Sequence, residues 1–327
     1  MISRRSFIAG MLAALSTPLA AQDKKPAARV LRLGVLDPLP LSANEANMEQ
    51  LRKGLREAGY TEGQNISIEY RASEGRAGRY RRFAAELAQM PVDVLIARGT
   101  PAALNAKNAT KDIPVLAIGV NDPVETGLVA SLDRPGANIT GIALLIKDLE
   151  ARRVDVLRAL APKTRRIAGM MNLGNPAIAH AWKLMEEAAR GFKLEAVLLD
   201  VRKPAFIAAA FDDAKARKID SIIVQLGALD AAQRQGVVDL AAKHRLPTLY
   251  SSRQYVDAGG LVSYGADTAQ LFYRAATLVD KILKGAKPAE MAMERPPKFE
   301  LVINRKTLRS LELVIPPDLL LRSNEIV

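Results

Sequence analysis

The sequence predicts an α/β protein built as two lobes, each a parallel sheet covered by helices. Three observations carry that expectation. Short apolar runs alternate with helical stretches from Val30 onward. The helices between the runs span ten to seventeen residues, as in βαβ units rather than hairpins. The alternation then restarts near Arg165, and 327 residues exceed what one hydrophobic core of roughly 250–300 residues holds.

The elements follow in order. "VLRLGVL" (30–36) reads as a strand and 43–58 as an amphipathic helix, with Ser42 and Glu45 at capping-box spacing. "NISIEYR" is the second strand, 80–90 a helix and "DVLIA" the third strand. Thr100-Pro101 opens an Ala-rich helix, with proline where its missing N–H costs nothing. "PVLAIG" and "NITGIALL" are the fourth and fifth strands, and "VETGLVASL" between them reads as helical. A helix over 147–160 ends at Ala161-Pro162. In the second half, "RRIAGMMN", "LEAVLLD", "DSIIVQ", "LPTLYS" and "GGLVSYG" are strands. Helices are expected over 177–191, 206–217, 230–244 and 268–284, the last ending at Gly285. "FELVINRKTLRSLEL" closes the chain as a strand and a short helix.

The N-terminus, "MISRRSFIAGMLAALSTPLAAQ", has a basic segment (Arg4, Arg5), an apolar segment over 7–15 and small residues at Ala20-Ala21. That is the three-part pattern of a secretory leader. Ser3-Arg4-Arg5-Ser6-Phe7-Ile8 also matches the twin-arginine export motif, and the general secretory route stays open beside it. The apolar segment falls short of the ~20 residues a membrane span needs. No cysteine is present to carry a lipid anchor. The expected product is a soluble periplasmic protein with 1–21 removed and 22–29 as a tether.

Composition narrows the chemistry. The net charge is +12, with the basic residues spread along the chain and no recognition-helix signature, so no nucleic-acid partner is expected. With no cysteine and only His180 and His244, thiol catalysis, structural zinc and a His-based triad have too few residues. No P-loop, G-x-G-x-x-G, G-x-S-x-G or H-E-x-x-H occurs, so neither a cofactor nor a metal is assigned, and the chain does not read as an enzyme.

One arrangement recurs three times: an apolar strand, a small polar residue, proline, then a helical stretch. It occurs at Gly99-Thr100-Pro101, at Asp122-Pro123 and at Asn172-Leu173-Gly174-Asn175-Pro176. Ligands of open α/β sheets bind beyond the carboxyl ends of strands, where helix N-termini offer free N–H groups to carboxylate or phosphate oxygens. Asp122 has two readings, satisfied by its local N–H groups or meeting a ligand ammonium. Tyr250 and Tyr264, beside strand ends, are candidate stacking walls; Trp182 has two readings, stacking on a ligand or packing along its helix face, and the second is preferred.

Taken together, "GLREAGYTEGQNISIEYR", "LIARGTPAALNAKNAT", "DPVETGLVASLDRPGANITG", "HRLPTLYSSRQYVDAGGLVSYGAD", "LFYRAATLVDKILKGAKPAEMAMERPPKFELVINRKT" and "IPPDLL" resemble the ABC-transporter substrate-binding protein family that includes tryptophan- and tyrosine-type receptors. The resemblance runs from about Arg32 to Leu321. It implies a type I periplasmic-binding fold: two Rossmann-like lobes, a hinge of three crossings, and a ligand in the cleft between them. The crossings would fall near Leu144, near 250–260 and near Glu300. Lobe one would hold 30–145 and 256–299, and lobe two 146–255 and 300–327. The candidate ligand-binding residues are Ser42, Gly99, Thr100, Asp122, Asn172, Asn175, Gln225 and Tyr250.

The same resemblance implies capture of a small carboxylated molecule, an aromatic amino acid being one such, by a monomer that delivers it to an inner-membrane ABC permease. A ligand-sensing subunit of a membrane receptor shares the fold and leader. Two stretches depart from the family pattern where specificity is set: "LDPLPLS" after the first strand and "LGALDAAQ" after "DSIIVQ".

Overall fold

A computed structural model describes residues 29–74 and 76–327. The expected leader, 1–21, and all but the last residue of the expected tether lie outside them.

The first lobe opens with β1 (Leu31–Asp37), α1 (Leu41–Glu57), β2 (Ile66–Ala72), α2 (Ala77–Gln89), β3 (Val94–Arg98), α3 (Thr100–Ala109), β4 (Val115–Asn121) and β5 (Ile139–Leu144). These strands form a five-stranded parallel sheet in the order β2-β1-β3-β4-β5. The second lobe runs through α4 (Ile146–Leu160), β6 (Arg166–Met171), α5 (Pro176–Gly191), β7 (Glu195–Asp200), α6 (Ile207–Ala216), β8 (Ser221–Gln225), α7 (Asp230–Lys243), β9 (Thr248–Tyr250), α8 (Arg253–Asp257) and β10 (Val262–Ala266). The chain then returns to the first lobe as α9 (Thr268–Leu283). It ends in the second with β11 (Phe299–Ile303), α10 (Arg305–Ser310), α11 (Pro317–Arg322) and β12 (Glu325–Ile326). The second sheet has seven strands, ordered β12-β11-β10-β9-β8-β6-β7.

Burial explains why the central strands read as unbroken apolar runs. Helices cover both faces of each sheet, so β8 is buried at every residue and β3 at all but Arg98. At the edge of the first sheet, β2 buries only Ile66. The long helix α9 carries an apolar stripe at Leu271, Phe272, Ala275, Leu278, Val279 and Ile282, which packs with Met48, Leu51 and Leu55 of α1. That contact returns 268–283 to lobe one although it follows the second lobe in sequence. In the second lobe Trp182 lies along its helix face over β6, where a Cβ on Gly169 would come within 2.9 Å of the indole.

Four expectations are corrected. The segment 256–266 does not join lobe one. Its strand β10 pairs in parallel with β9 (Val262↔Leu249) and antiparallel with β11 (Val262↔Ile303), inside the second sheet. Tyr255 and Val256 are buried there, so the second crossing lies between Ala266 and Thr268, not at 250–260. Strand periodicity shows that a strand exists but not which sheet takes its hydrogen bonds. The third crossing spans 295–298: Glu294 still bridges Ile142 of the first sheet, and β11 begins at Phe299.

Second, the sheets are not wholly parallel, because β11 runs antiparallel to β10. Third, the stretch after Asp122 forms linked turns rather than a helix. Asp122 sits at φ +35° and Gly127 at φ +68°, and the N–H groups of both Leu128 and Val129 turn back to the Pro123 carbonyl. The turns bury Leu128 and Val129 in the first-lobe core. Fourth, α1 begins one residue before Ser42. Pro40 occupies the cap position, and Ser42 caps nothing.

Candidate ligand-binding cleft

The carboxyl ends of β1, β3 and β4 in one lobe face those of β8 and β9 in the other across a cleft of about 260 Å³. This is where an α/β sheet presents its helix N-termini to a ligand. Gly99, Thr100 and Pro101 bring the first turn of α3 to the cleft wall. The Thr100 hydroxyl accepts the Asn121 N–H at 3.0 Å, tying that helix start to the end of β4. Opposite, Asn175 caps α5 by accepting the Ala177 N–H at 3.1 Å, and it also lines the cleft.

Two buried ion pairs stiffen the walls. In lobe one, Asp37 is fully buried and receives four donors: Arg98 through Nε and Nη2, both at 2.6 Å, the Leu39 N–H at 2.7 Å and Asn44 Nδ2 at 3.0 Å. The "LDPLPLS" departure thus turns its acid inward and leaves Pro38 and Leu39 on the wall. In lobe two, Glu150 accepts Arg153 Nη1 at 2.6 Å and Gln225 Nε2 at 2.8 Å, while Arg153 Nε donates to the Tyr264 carbonyl at 3.0 Å. Burial pushes the Glu150 carboxyl up, with Arg153 and the Gln225 amide opposing.

The lining carries three guanidinium groups, Arg98, Arg153 and Arg234, and no carboxylate among the described residues. Arg234, on α7, stands 6.0 Å over the Tyr255 ring, and its buried Nε has no hydrogen-bond partner. The rest of the wall is mainly apolar or neutral, including Leu149, Ile178, Leu271, Asn47, Asn121 and Ser252.

The cleft brings together four of the eight residues expected from sequence: Gly99, Thr100, Asn175 and Gln225. Ser42 is exposed on α1 and outside the lining. Asn172 shapes the turn before α5, its Oδ1 accepting the Gly174 N–H. Tyr250 is no stacking wall. It is 1% exposed and stacked on Tyr255, with ring centroids 4.4 Å apart, inside the second-lobe core. A Tyr at the last position of a central strand alternates away from the cleft as readily as toward it.

Asp122 lies between the lobes rather than in the cleft wall. Its Oδ1 accepts the Ile146 N–H at 3.3 Å, and its Oδ2 is 3.4 Å from His180 Nε2. Burial raises its carboxyl above the ordinary 3.8; the Ile146 N–H and His180 pull it down and Glu125 pushes it further up. A raised folded pKa means that the folded state holds the proton more tightly than the unfolded one. The group's contribution to stability is therefore complete below pH 3.8 and lost as the pH rises through the folded pKa. Asp122→Asn is expected to melt above wild type at pH 7, with the difference vanishing in acid. Thermal melts followed by circular dichroism across that range check it.

Sequence reasoning missed Arg98, Arg153 and Arg234. One local signal existed for Arg98, a cation ending the apolar run "VLIA". Arg153 carried a weaker one: with Glu150 it forms an i,i+3 pair on the buried face of α4.

Fold and cleft define the class: a two-lobed α/β binding protein whose candidate site is the cleft between the lobes. Residues 32–327 match the family described as ABC transporter substrate binding protein, and the chain belongs to that family. It is a substrate-binding protein and not an enzyme. Among proteins of known function it resembles a tyrosine-binding protein of Clostridioides difficile (strain R20291), 27% identical over 261 residues, 80% of this chain and 75% of that one. Among solved structures it resembles an ABC domain from Streptococcus pneumoniae in complex with L-Trp (TM-score 0.84, 26% identity, 91% of this chain and 99% of that one). A ligand-free, open substrate-binding protein with adhesive properties from Clostridium difficile is also similar (TM-score 0.67, 25% identity, 91% and 99%).

Proposed function

We propose that the chain is a periplasmic receptor that captures a small carboxylated molecule between its lobes and delivers it to an ABC permease of the inner membrane. The observation that carries this reading is a cleft lined by three guanidinium groups and no described carboxylate. An anion entering such a site meets fixed positive charge and the N-terminus of α3, whereas a neutral sugar gains neither. The leader, 1–21, would be removed on export, and the mature protein would act as a monomer.

Closure of the lobes would bury the ligand and form the surface a permease recognises, a population shift driven by tighter binding to the closed state. Two similarities support reading the present lobe arrangement as the closed one. At nearly equal identity, the chain superposes better on the tryptophan complex than on the open, ligand-free protein. The names of those relatives, a tyrosine-binding protein and a complex with L-Trp, support counting amino acids within the ligand class.

A thermal-shift screen of the mature protein against carboxylic acids, amino acids, sugars and nucleosides tests the proposal. A carboxylated ligand at 100 times its dissociation constant is expected to add about 2.7 kcal/mol of stability. Shifts produced by sugars or nucleosides, with none from any carboxylate, overturn it.

A further inference from the structure

Among the described residues the cleft lining has a counter-charge for an anion and none for a cation. Carboxylates beside it are engaged by protein donors: Asp267, between the lining residues Ala266 and Thr268, caps α9 through the Gln270 N–H. Asp37 is ringed by Arg98, Asn44 and the Leu39 N–H, and Glu150 by Arg153 and Gln225. Asp122, the residue whose sequence position suggested an ammonium partner, faces Ile146 and His180 between the lobes. Arg98 and Arg153 are neutralised within their pairs. Arg234 is different: it lines the cleft, has no acidic partner among the described residues, and leaves a buried Nε without an acceptor.

We infer that the ligand is a carboxylate without a free ammonium group, and that Arg234 is the cation that receives it. The inference rests on the receptor reading above and narrows its ligand class. An α-amino acid is a zwitterion at neutral pH, so closing the lobes over it removes two opposite charges from water. Each then needs its own partner. The carboxylate finds one at Arg234. Among the described lining residues the ammonium meets three guanidinium groups and, as acceptors, only neutral oxygens such as the side-chain oxygen of Gln225, whose amide nitrogen is committed to Glu150. A deaminated acid avoids that penalty and keeps its apolar body against Leu149, Ile178 and Leu271. Among the described lining residues, one surplus positive charge matches a monoanion. Arg234 also follows "LGALDAAQ", one of the two stretches that depart from the family pattern, so a ligand different from that of the tyrosine- and tryptophan-binding relatives has a residue to explain it.

Matched pairs that differ only in the ammonium group test this by calorimetric titration of the mature protein. The pairs are L-tyrosine with 3-(4-hydroxyphenyl)propionate, L-tryptophan with indole-3-propionate, and L-leucine with 4-methylpentanoate. The deaminated member of at least one pair is expected to bind tenfold or more tightly than its amino acid. Arg234→Gln should weaken that acid at least tenfold and Arg234→Lys less, since the lysine keeps the charge but loses the planar fork. Tighter binding of the amino acids overturns this inference and leaves the receptor reading standing, as does unchanged affinity in Arg234→Gln. Binding of neither member of any pair, by protein that binds a sugar or nucleoside, overturns both.

Discussion

Replacing Gly141 by alanine is expected to leave no stably folded protein. Gly141 lies on β5 opposite Ala117 of β4, with its own φ at +150°. An added Cβ would stand 1.7 Å from the Ala117 carbonyl oxygen and 2.6 Å from its carbon, far inside contact distance. Neither side can yield. Across the other edge of β5, Glu294 is held at 2.8 Å by two hydrogen bonds, its N–H to the Gly141 carbonyl and its carbonyl from the Ala143 N–H. The methyl group would therefore have to part β5 from β4 or release the segment that brings the chain to its third crossing. Substitutions with a backbone clash of this kind cost more than about 4–5 kcal/mol, a large share of the ~5–15 kcal/mol that holds a domain together. Soluble yield and circular dichroism give the readout. Gly236→Ala is the control: that helical glycine on α7 has nothing within 4 Å of the added carbon, and the change there should stabilise by about 0.4–1 kcal/mol. A Gly141→Ala protein melting within a few degrees of wild type would overturn the prediction.

The second large effect is expected at Asp37. Asp37→Ala leaves the Arg98 guanidinium without its counter-ion at the back of the cleft. It also leaves the Leu39 N–H without its acceptor and takes one of two acceptors from Asn44 Nδ2, which keeps the Tyr70 hydroxyl at 3.1 Å. Breaking a buried pair by removing one partner costs about 3–5 kcal/mol. The lower end applies here, because the Arg98 side chain keeps 20% exposure to the cleft and water can solvate it in part. At ~2–4 °C per kcal/mol the melting temperature should fall by roughly 6–12 °C. The double variant Asp37→Leu/Arg98→Met is expected to recover most of that loss, since a packed apolar pair of similar volume avoids burying any charge. Denaturant titration of both variants and wild type checks the two outcomes together. Equal losses in single and double variants would show that the hydrogen bonds of Asp37, and not its charge, hold the wall.

Much of the fold was legible locally. The run "DSIIVQ" is apolar without alternation because β8 is covered on both faces, and that pattern survives in one dimension. The first-turn proline of α3, which follows Thr100 with Gly99 at the cap, and the asparagine cap of α5 are likewise local devices. "VETGLVASL" failed for a reason its composition half conceals. Its apolar spacing suits a helix, but the left-handed Asp122 and Gly127 turn the chain so that Leu128 and Val129 reach the first-lobe core. The cleft was legible in part. Thr100 and Asn175 announce themselves by position, but the buried acids are tied to cleft residues far away in sequence. Asp37 and Arg98 are separated by 61 residues, and Glu150 and Gln225 by 75.

The sequence by itself determined the α/β alternation, the two-lobed division, the family and the absence of residues for thiol or zinc chemistry. Periodicity, capping and composition are properties of neighbouring residues, so these were readable without a fold. Only the tertiary structure decided which sheet receives 262–266, that Tyr250 points into a core, and that Asp37 and Glu150 are consumed by pairing while Arg234 is left to face the cleft. Those facts depend on which hydrogen-bonding edges and charges meet across long chain separations, and packing is where such meetings are chosen.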